Sequence, residues 1–136
     1  MNDPTALVDG YVAIWNEADA ARRHAAVAEL WTEDAVHVFR PPQEVIDAAA
    51  ALDVTALFQA RGHGELEARV TRAYEQFVAP EQFSFRLRGG AARLGDVVKF
   101  NWEMVSPDGE VVGVGLEFLV LDADGRIRLD YQFIEK

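Results

Sequence analysis

At 136 residues the chain is long enough for one hydrophobic core and too short for two domains. Its formal net charge is −10 and no basic run exceeds Arg22-Arg23, so neither nucleic acid nor an anionic membrane surface is an expected partner. The absence of cysteine removes disulfides, thiolate metal sites and a cysteine nucleophile, and leaves the redox compartment open. Met1-Asn2-Asp3-Pro4 carries no basic patch or apolar segment, and no apolar run approaches the ~20 residues of a membrane span. A cytoplasmic location is therefore the default expectation, with no membrane partner.

Pro4 after Asp3 suits the first turn of a helix, and Leu7, Val8, Tyr11, Val12, Ile14 and Trp15 then recur at helical spacing up to Asn16. Asp19 can cap a second helix with apolar positions Ala20, Val27, Leu30 and Trp31, broken by Thr32-Glu33-Asp34. Ala35 to Phe39 has the β-branched and aromatic character of a strand, closed by Pro41-Pro42. Residues 43–62 hold an alanine-rich helical piece, Glu44 to Leu52, then a short apolar run, and are expected to act as an insertion that covers a pocket. A third main helix fits Glu65 to Phe77, with Leu66, Val70, Tyr74 and Phe77 on one side.

Everything after Ala79-Pro80 reads as strand: Phe83 to Leu94, Val97 to Val105, Val111 to Leu121 and Arg126 to Ile134, with Ser106-Pro107-Asp108-Gly109 and Asp122-Ala123-Asp124-Gly125 as turns. Three helices segregated onto one face of a mainly antiparallel sheet give a single α+β domain over residues 1–136. In the last strand Ile127, Leu129, Tyr131 and Phe133 alternate with Arg126, Arg128, Asp130, Gln132 and Ile134, so Asp130 and Gln132 share one face. A two-residue Asp108-Gly109 turn would point Phe100, Trp102 and Met104 inward with Glu117 and keep Lys99 and Glu103 in solvent; a type I turn with a Gly109 bulge would reverse that strand.

The order of elements, with YVAIWNEADA, ELWTEDAVHV and LEFLVLDADGRI, resembles the NTF2-like superfamily, and within it the SnoaL-like polyketide cyclases, steroid Δ5-isomerases and limonene-type epoxide hydrolases. The resemblance covers nearly the whole chain. It implies a strongly curved sheet forming a cone-shaped pocket plugged by three helices, with no metal or organic cofactor; because the superfamily mixes enzymes with binders and adaptors, it does not by itself imply an activity. Tyr11 and Glu117 match the two oxyanion-hole positions of the steroid isomerases, but Phe39 stands where those enzymes have their proton-shuttling aspartate, which disfavours their mechanism. Asp130-Tyr131 is similar to the segment carrying the aspartate base of the epoxide hydrolases. The arginine and second aspartate of that triad are not matched on the strand reading Lys99-Phe100-Asn101-Trp102-Glu103.

Four residues are candidates for chemistry. Asp130 on a central strand would be a base or acid tuned by burial, or else an outward carboxylate paired with Arg128. Glu117 interrupts the most apolar strand of the chain, beside Gly113 and Gly115, which leave room for a ligand or a ring; the plainer alternative is a buried acid hydrogen-bonded to Tyr11 or His37. His37, the histidine embedded in a strand, could relay a proton or be structural, and no second histidine has metal-ligand spacing with it. Tyr11 could donate to an oxyanion or simply pack. Trp15, Trp31, Phe39, Phe77, Phe100, Trp102, Met104 and Gln132 are the candidate substrate-binding residues.

These residues lead to a cofactor-independent acid-base enzyme acting on a small hydrophobic molecule, of isomerase, cyclase or epoxide-hydrolase type. The alternative is a non-catalytic ligand-binding or dimeric adaptor module on the same scaffold. The apolar even-numbered face Val112, Val114, Leu116, Phe118 and Val120 predicts a homodimer through the sheet under either reading.

Overall fold

The computed structural model describes residues 3–135. Helix α1 (Thr5–Asn16) starts where the Asp3 carboxylate accepts from the Thr5 amide at 2.9 Å, and it turns Val8, Tyr11, Val12, Ile14 and Trp15 into the interior. Asp19 caps α2 (Ala20–Leu30). Strand β1 (Trp31–Phe39) begins four residues earlier than the sequence pattern suggests, because Trp31 already pairs with Ile127 before the ladder is interrupted and resumes at Val36. The alanine-rich piece forms α3 (Gln43–Ala51), and the apolar run after it pairs with β1 as a short edge strand, β2 (Phe58–Arg61). Helix α4 (Gly62–Ala73) widens at its end into a π-helical turn, Tyr74–Val78. Four long strands follow: β3 (Ser84–Leu94), β4 (Val97–Val105), β5 (Val111–Leu121) and β6 (Ile127–Ile134).

The strands form one open sheet in the order β2-β1-β6-β5-β4-β3. Only β1 and β6 run parallel; every other neighbour is antiparallel, as expected of an α+β domain. Among the described residues there are four α-helices rather than three, the extra one being α3, which buries no residue. The others pack over the concave face, where Val8, Ile14, Trp31, Val98 and Leu119 belong to one core with Leu66 and Val70 of α4. At the sheet's far edge the Asn16 amide stands in for a strand residue, donating to the Phe85 carbonyl and accepting from the Phe85 amide, both at 2.7 Å. That pair of bonds fixes Trp15, one residue earlier, against β3.

Two departures from simple alternation decide which side chains face the core. In β6 the pairing slips at Arg128, so Ile127 turns inward beside Leu121 and joins Asp130 and Gln132 instead of opposing them. In the β4–β5 hairpin the turn is not the two-residue type. Ser106 and Glu110 pair, Gly109 takes φ +88°, and Val105 lies opposite Val111. A second slip at Val112 then restores the register that puts Phe100 opposite Glu117 and Trp102 opposite Gly115. Phe100, Trp102 and Met104 therefore do face inward, although the turn alone would have sent them out.

Lys99 is exposed as expected, but Glu103 is not in solvent. It lies buried on the convex face under Arg86 and Arg88, at 2.5 and 3.6 Å, because cross-strand pairing sets Arg86 directly opposite it. No helix of the described residues is long and apolar enough to cross a membrane.

Candidate functional site

The inner face brings three strands and one helix onto a single group of polar side chains. Asp130 of β6 lies beside His37 of β1 in the parallel ladder, and Gln132, two residues on, lies opposite Glu117 of β5. Above them Tyr11 on α1 donates its hydroxyl to Asp130 Oδ2 at 2.7 Å. Glu117 Oε1 accepts two bonds, from Gln132 Nε2 at 2.6 Å and from the indole Nε1 of Trp102 at 2.9 Å. The Trp102 ring reaches that oxygen by lying flat across Gly115, where a Cβ would overlap it. The room that Gly113 and Gly115 were expected to leave is thus shared: the ring takes the space over Gly115, and Gly113 lines a cavity.

His37, Glu117 and Asp130 are fully buried. Neither Glu117 Oε2 nor Asp130 Oδ1 has a hydrogen-bond partner among the described residues. A proton on Glu117 would turn its free oxygen into a donor and relieve the repulsion between two buried carboxyls. Consistent with this, burial pushes the Glu117 carboxyl well above its ordinary value and the neighbouring Asp130 charge pushes the same way, while the Gln132 and Trp102 bonds oppose them only in part. Burial and the charges of Asp130 and Glu117 likewise raise the Tyr11 phenol well above its usual range, so it stays protonated. His37 is pulled down, chiefly by burial and further by Arg69, against the Asp130 charge; its Nε2 stands 4.0 Å from Asp130 Oδ2, beyond hydrogen-bond reach. It stacks on Phe39 at 5.2 Å as a neutral ring.

An apolar cavity of about 160 Å³ opens between this group, α1 and α4. Tyr11, Trp15, Phe77, Trp102, Met104 and Gln132 line it. Three expected wall residues do not. Trp31 and Phe100 are buried core, packed against the Tyr11 ring at 5.6 and 5.3 Å, so they support the phenol rather than meet a ligand. Phe39 is turned toward a second, more open cavity of about 410 Å³, where Ile46, Ala50 and Leu57 of the 43–62 segment also lie. That segment contributes no wall to the first cavity; what it borders is the second.

The bonding also differs from the plainer alternative weighed for Glu117, a bond to Tyr11 or His37. Tyr11 bonds Asp130 rather than Glu117, and Glu117 takes neutral donors instead of Tyr11 or His37. Sequence reasoning missed Arg69, which enters the same cavity from α4 with its guanidinium 4.2 Å over the Phe39 ring and its Nη2 3.4 Å from Gln132 Oε1. The signal available was its place between Leu66 and Val70 on the buried face of α4, where a surface arginine would not be expected.

His37, Glu117 and Asp130 offer ligand atoms within 4.8 Å of one another. A small cation with bonds of ~2.1 Å would need them drawn in to about 3.4 Å, against the nearby Arg69 charge. The arrangement as it stands is looser than a cation of that size requires.

No protein-family model and no curated protein sequence matches the chain. Solved structures do. A candidate isomerase of the SnoaL-like family from Agrobacterium tumefaciens aligns over 100% of both chains with 27% identity and a TM-score of 0.80. A candidate polyketide cyclase from Sinorhizobium meliloti aligns over 93% of this chain and 93% of its own, with 13% identity and a TM-score of 0.61. An NTF2-like protein of unknown function from Cytophaga hutchinsonii covers 99% and 92%, with 10% identity and a TM-score of 0.60; these last two speak for the fold alone. With an open, helix-packed sheet, the chain has the α+β cone fold of the NTF2-like structures and is similar over its full length to a SnoaL-like protein.

Proposed function

We propose that the protein is a cofactor-independent acid-base enzyme acting on a small hydrophobic molecule in the 160 Å³ cavity. The observation that carries this reading is the pair of buried carboxyls, Asp130 and Glu117, set side by side with one unpartnered oxygen each and joined to the cavity wall through Tyr11 and Gln132. Asp130 is the base and Glu117 holds the proton that lets the two acids coexist. Asp130 itself does not reach the cavity surface. A proton leaving the ligand arrives through the Tyr11 hydroxyl, which takes it up as it passes its own to Asp130 Oδ2, so that no free phenolate accumulates. Neutral His37 backs Asp130 from the far side and keeps a second positive charge away from it. The cavity is below the ~300 Å³ of pockets that take drug-sized ligands, which favours a monocyclic or short-chain substrate over a steroid. The structure named as a SnoaL-like isomerase, at 27% identity, supports the same class of chemistry.

The test is deuterium uptake at the α-carbon of small enolisable ketones in D₂O, with opening of small epoxides as a second assay. Wild-type protein is expected to accelerate one of them, and Asp130→Asn to lose about 10²–10⁴-fold of that acceleration. Wild-type rates in the variant would sink the base assignment. A second reading, a binding module without turnover, is favoured by one fact: Glu117, Asp130 and His37 are all wholly buried beneath the cavity rather than on its wall. Ligand binding with no exchange or opening in the wild type would select it.

Homodimerisation through the convex face belongs to the same proposal. Val112, Tyr131 and Phe133 are exposed there, and Phe118 and Phe133 already make an edge-on pair. A monomeric mass in light scattering at micromolar concentration would remove that part.

A further inference from the structure

The polar atoms on the cavity wall differ in how much of their bonding capacity is used. Tyr11 has spent its proton on Asp130, and Gln132 has spent an N–H on Glu117 and its oxygen on Arg69. Arg69 has not been used up. A guanidinium carries five N–H donors, and among the described residues this one meets a single acceptor, at a long 3.4 Å. Its Nε is buried without a partner, and it makes no ion pair within 4.0 Å. Trp15, on the same wall, also has a buried indole Nε1 with no partner. Donors left unmet in a desolvated site cost free energy that an incoming acceptor recovers.

We propose that the ligand of this cavity is a small neutral carbonyl compound that presents its oxygen to the Arg69 guanidinium, with the Trp15 indole N–H as the second donor. The proposal rests in part on the acid-base reading, and names the polar group of its substrate. Charge selects a carbonyl over a carboxylate. The Asp130–Glu117 pair with one proton carries one negative charge and Arg69 one positive, so the site is balanced before anything binds. A carboxylate would add an uncompensated buried charge. A ketone adds none. When its α C–H bond breaks, the proton passes through Tyr11 to Asp130 and the electron pair moves onto the carbonyl oxygen. The negative charge thereby leaves the acid pair and appears beside Arg69, with the total unchanged. The guanidinium is held for this by stacking on Phe39, where the resemblance places an aspartate in the steroid isomerases. An arginine with a free fork would not sit beside that carboxylate without pairing to it.

The experiment is titration of the full chain with cyclohexanone labelled with ¹³C at the carbonyl. Methylenecyclohexane, of the same shape without oxygen, and cyclohexanecarboxylate serve as comparison probes. Expected are a downfield move of the bound carbonyl resonance, tighter binding of the ketone than of either comparison probe, and about tenfold or greater weakening of ketone binding in Arg69→Met with the shift lost. Arg69→Lys should keep part of both. Equal binding of methylenecyclohexane and ketone, preference for the carboxylate, an unchanged ketone shift in Arg69→Met, or no ketone binding at all would each overturn the proposal. If Arg69→Met does not fold, the comparison of probes on wild-type protein decides alone. A carbonyl shift without α-deuteration would fail the acid-base reading and leave this inference standing, whereas deuteration unaffected by Arg69→Met would do the reverse.

Discussion

Two buried glutamates on neighbouring strands, Glu117 on the concave face and Glu103 on the convex face, meet opposite surroundings. Glu103 is covered by two arginines from β3 and is an ion-paired acid at the edge of solvent. Glu117 is given neutral donors on one oxygen and has a second carboxyl within 4.8 Å. Burial at similar depth thus has different consequences. An acid with cations on it is paired within the fold, while one with neutral donors and an acid neighbour is driven to hold a proton. The second arrangement is the kind that general acid-base sites use.

The largest way to break this contrast is to remove the space that permits it. Gly115→Ala places a methyl group 2.1 Å from two ring atoms of the Trp102 indole. The ring must move, and its bond to Glu117 Oε1 goes with it. We expect a loss of about 3 kcal/mol in stability, at the upper end for an overpacked core, read from denaturant midpoints at constant m-value. A loss below about 1 kcal/mol would show that the indole is not pinned over Gly115.

That dependence on a cross-strand ring marks how far the sequence could be read. The element order, the Asp-Gly turns and the inward facing of Asp130, Gln132 and Glu117 follow from local chemistry: two-residue alternation and residues that accept turn geometry. The core placement of Trp31 and Phe100 does not, because an inward aromatic reads the same whether it meets a cavity or another ring. The inward facing of Trp102 emerged from two errors that cancel, a wider turn at Gly109 and a compensating slip at Val112. Slips of this kind, at Val112 and at Arg128, depend on what packs above the sheet and leave no pattern in the strand itself. Arg69 was hidden for a related reason. Helical arginines usually reach solvent along their stems, and only the Phe39 ring and the open cavity, both set by tertiary packing, keep this one inside.

Protonation of Glu117 sharpens the comparison through pH. An acid whose folded value is raised binds its proton more tightly in the native than in the unfolded chain. Its contribution is therefore complete below the unfolded value near 4.5 and is lost as pH rises from there toward the folded value. Wild-type stability should fall across that window with a slope approaching about 1.4 kcal/mol per pH unit from this one group. Glu117→Gln retains the acceptor for Trp102 and Gln132 but cannot ionise, so the difference between variant and wild type should shift in the variant's favour as pH rises. A pH-independent difference between pH 4 and 8 would mean that Glu117 is ionised in the fold and that its proton is absent.

The smallest effect is expected on the convex face. Glu103→Gln keeps the shape and removes the charge facing Arg86 and Arg88, whose side chains are more than half exposed, at 56% and 53%. Solvent screening holds the expected loss to about 0.5–1 kcal/mol, and it should shrink as salt is raised from 0.05 to about 0.5 M because the Debye length falls well below 10 Å. Measured side by side under one set of conditions, the two Glu→Gln variants separate an acid kept for structure from an acid kept for its proton. A Glu103→Gln loss that salt leaves unchanged, or a Glu117→Gln difference that salt removes, would leave the concave cluster with no property that the convex one lacks.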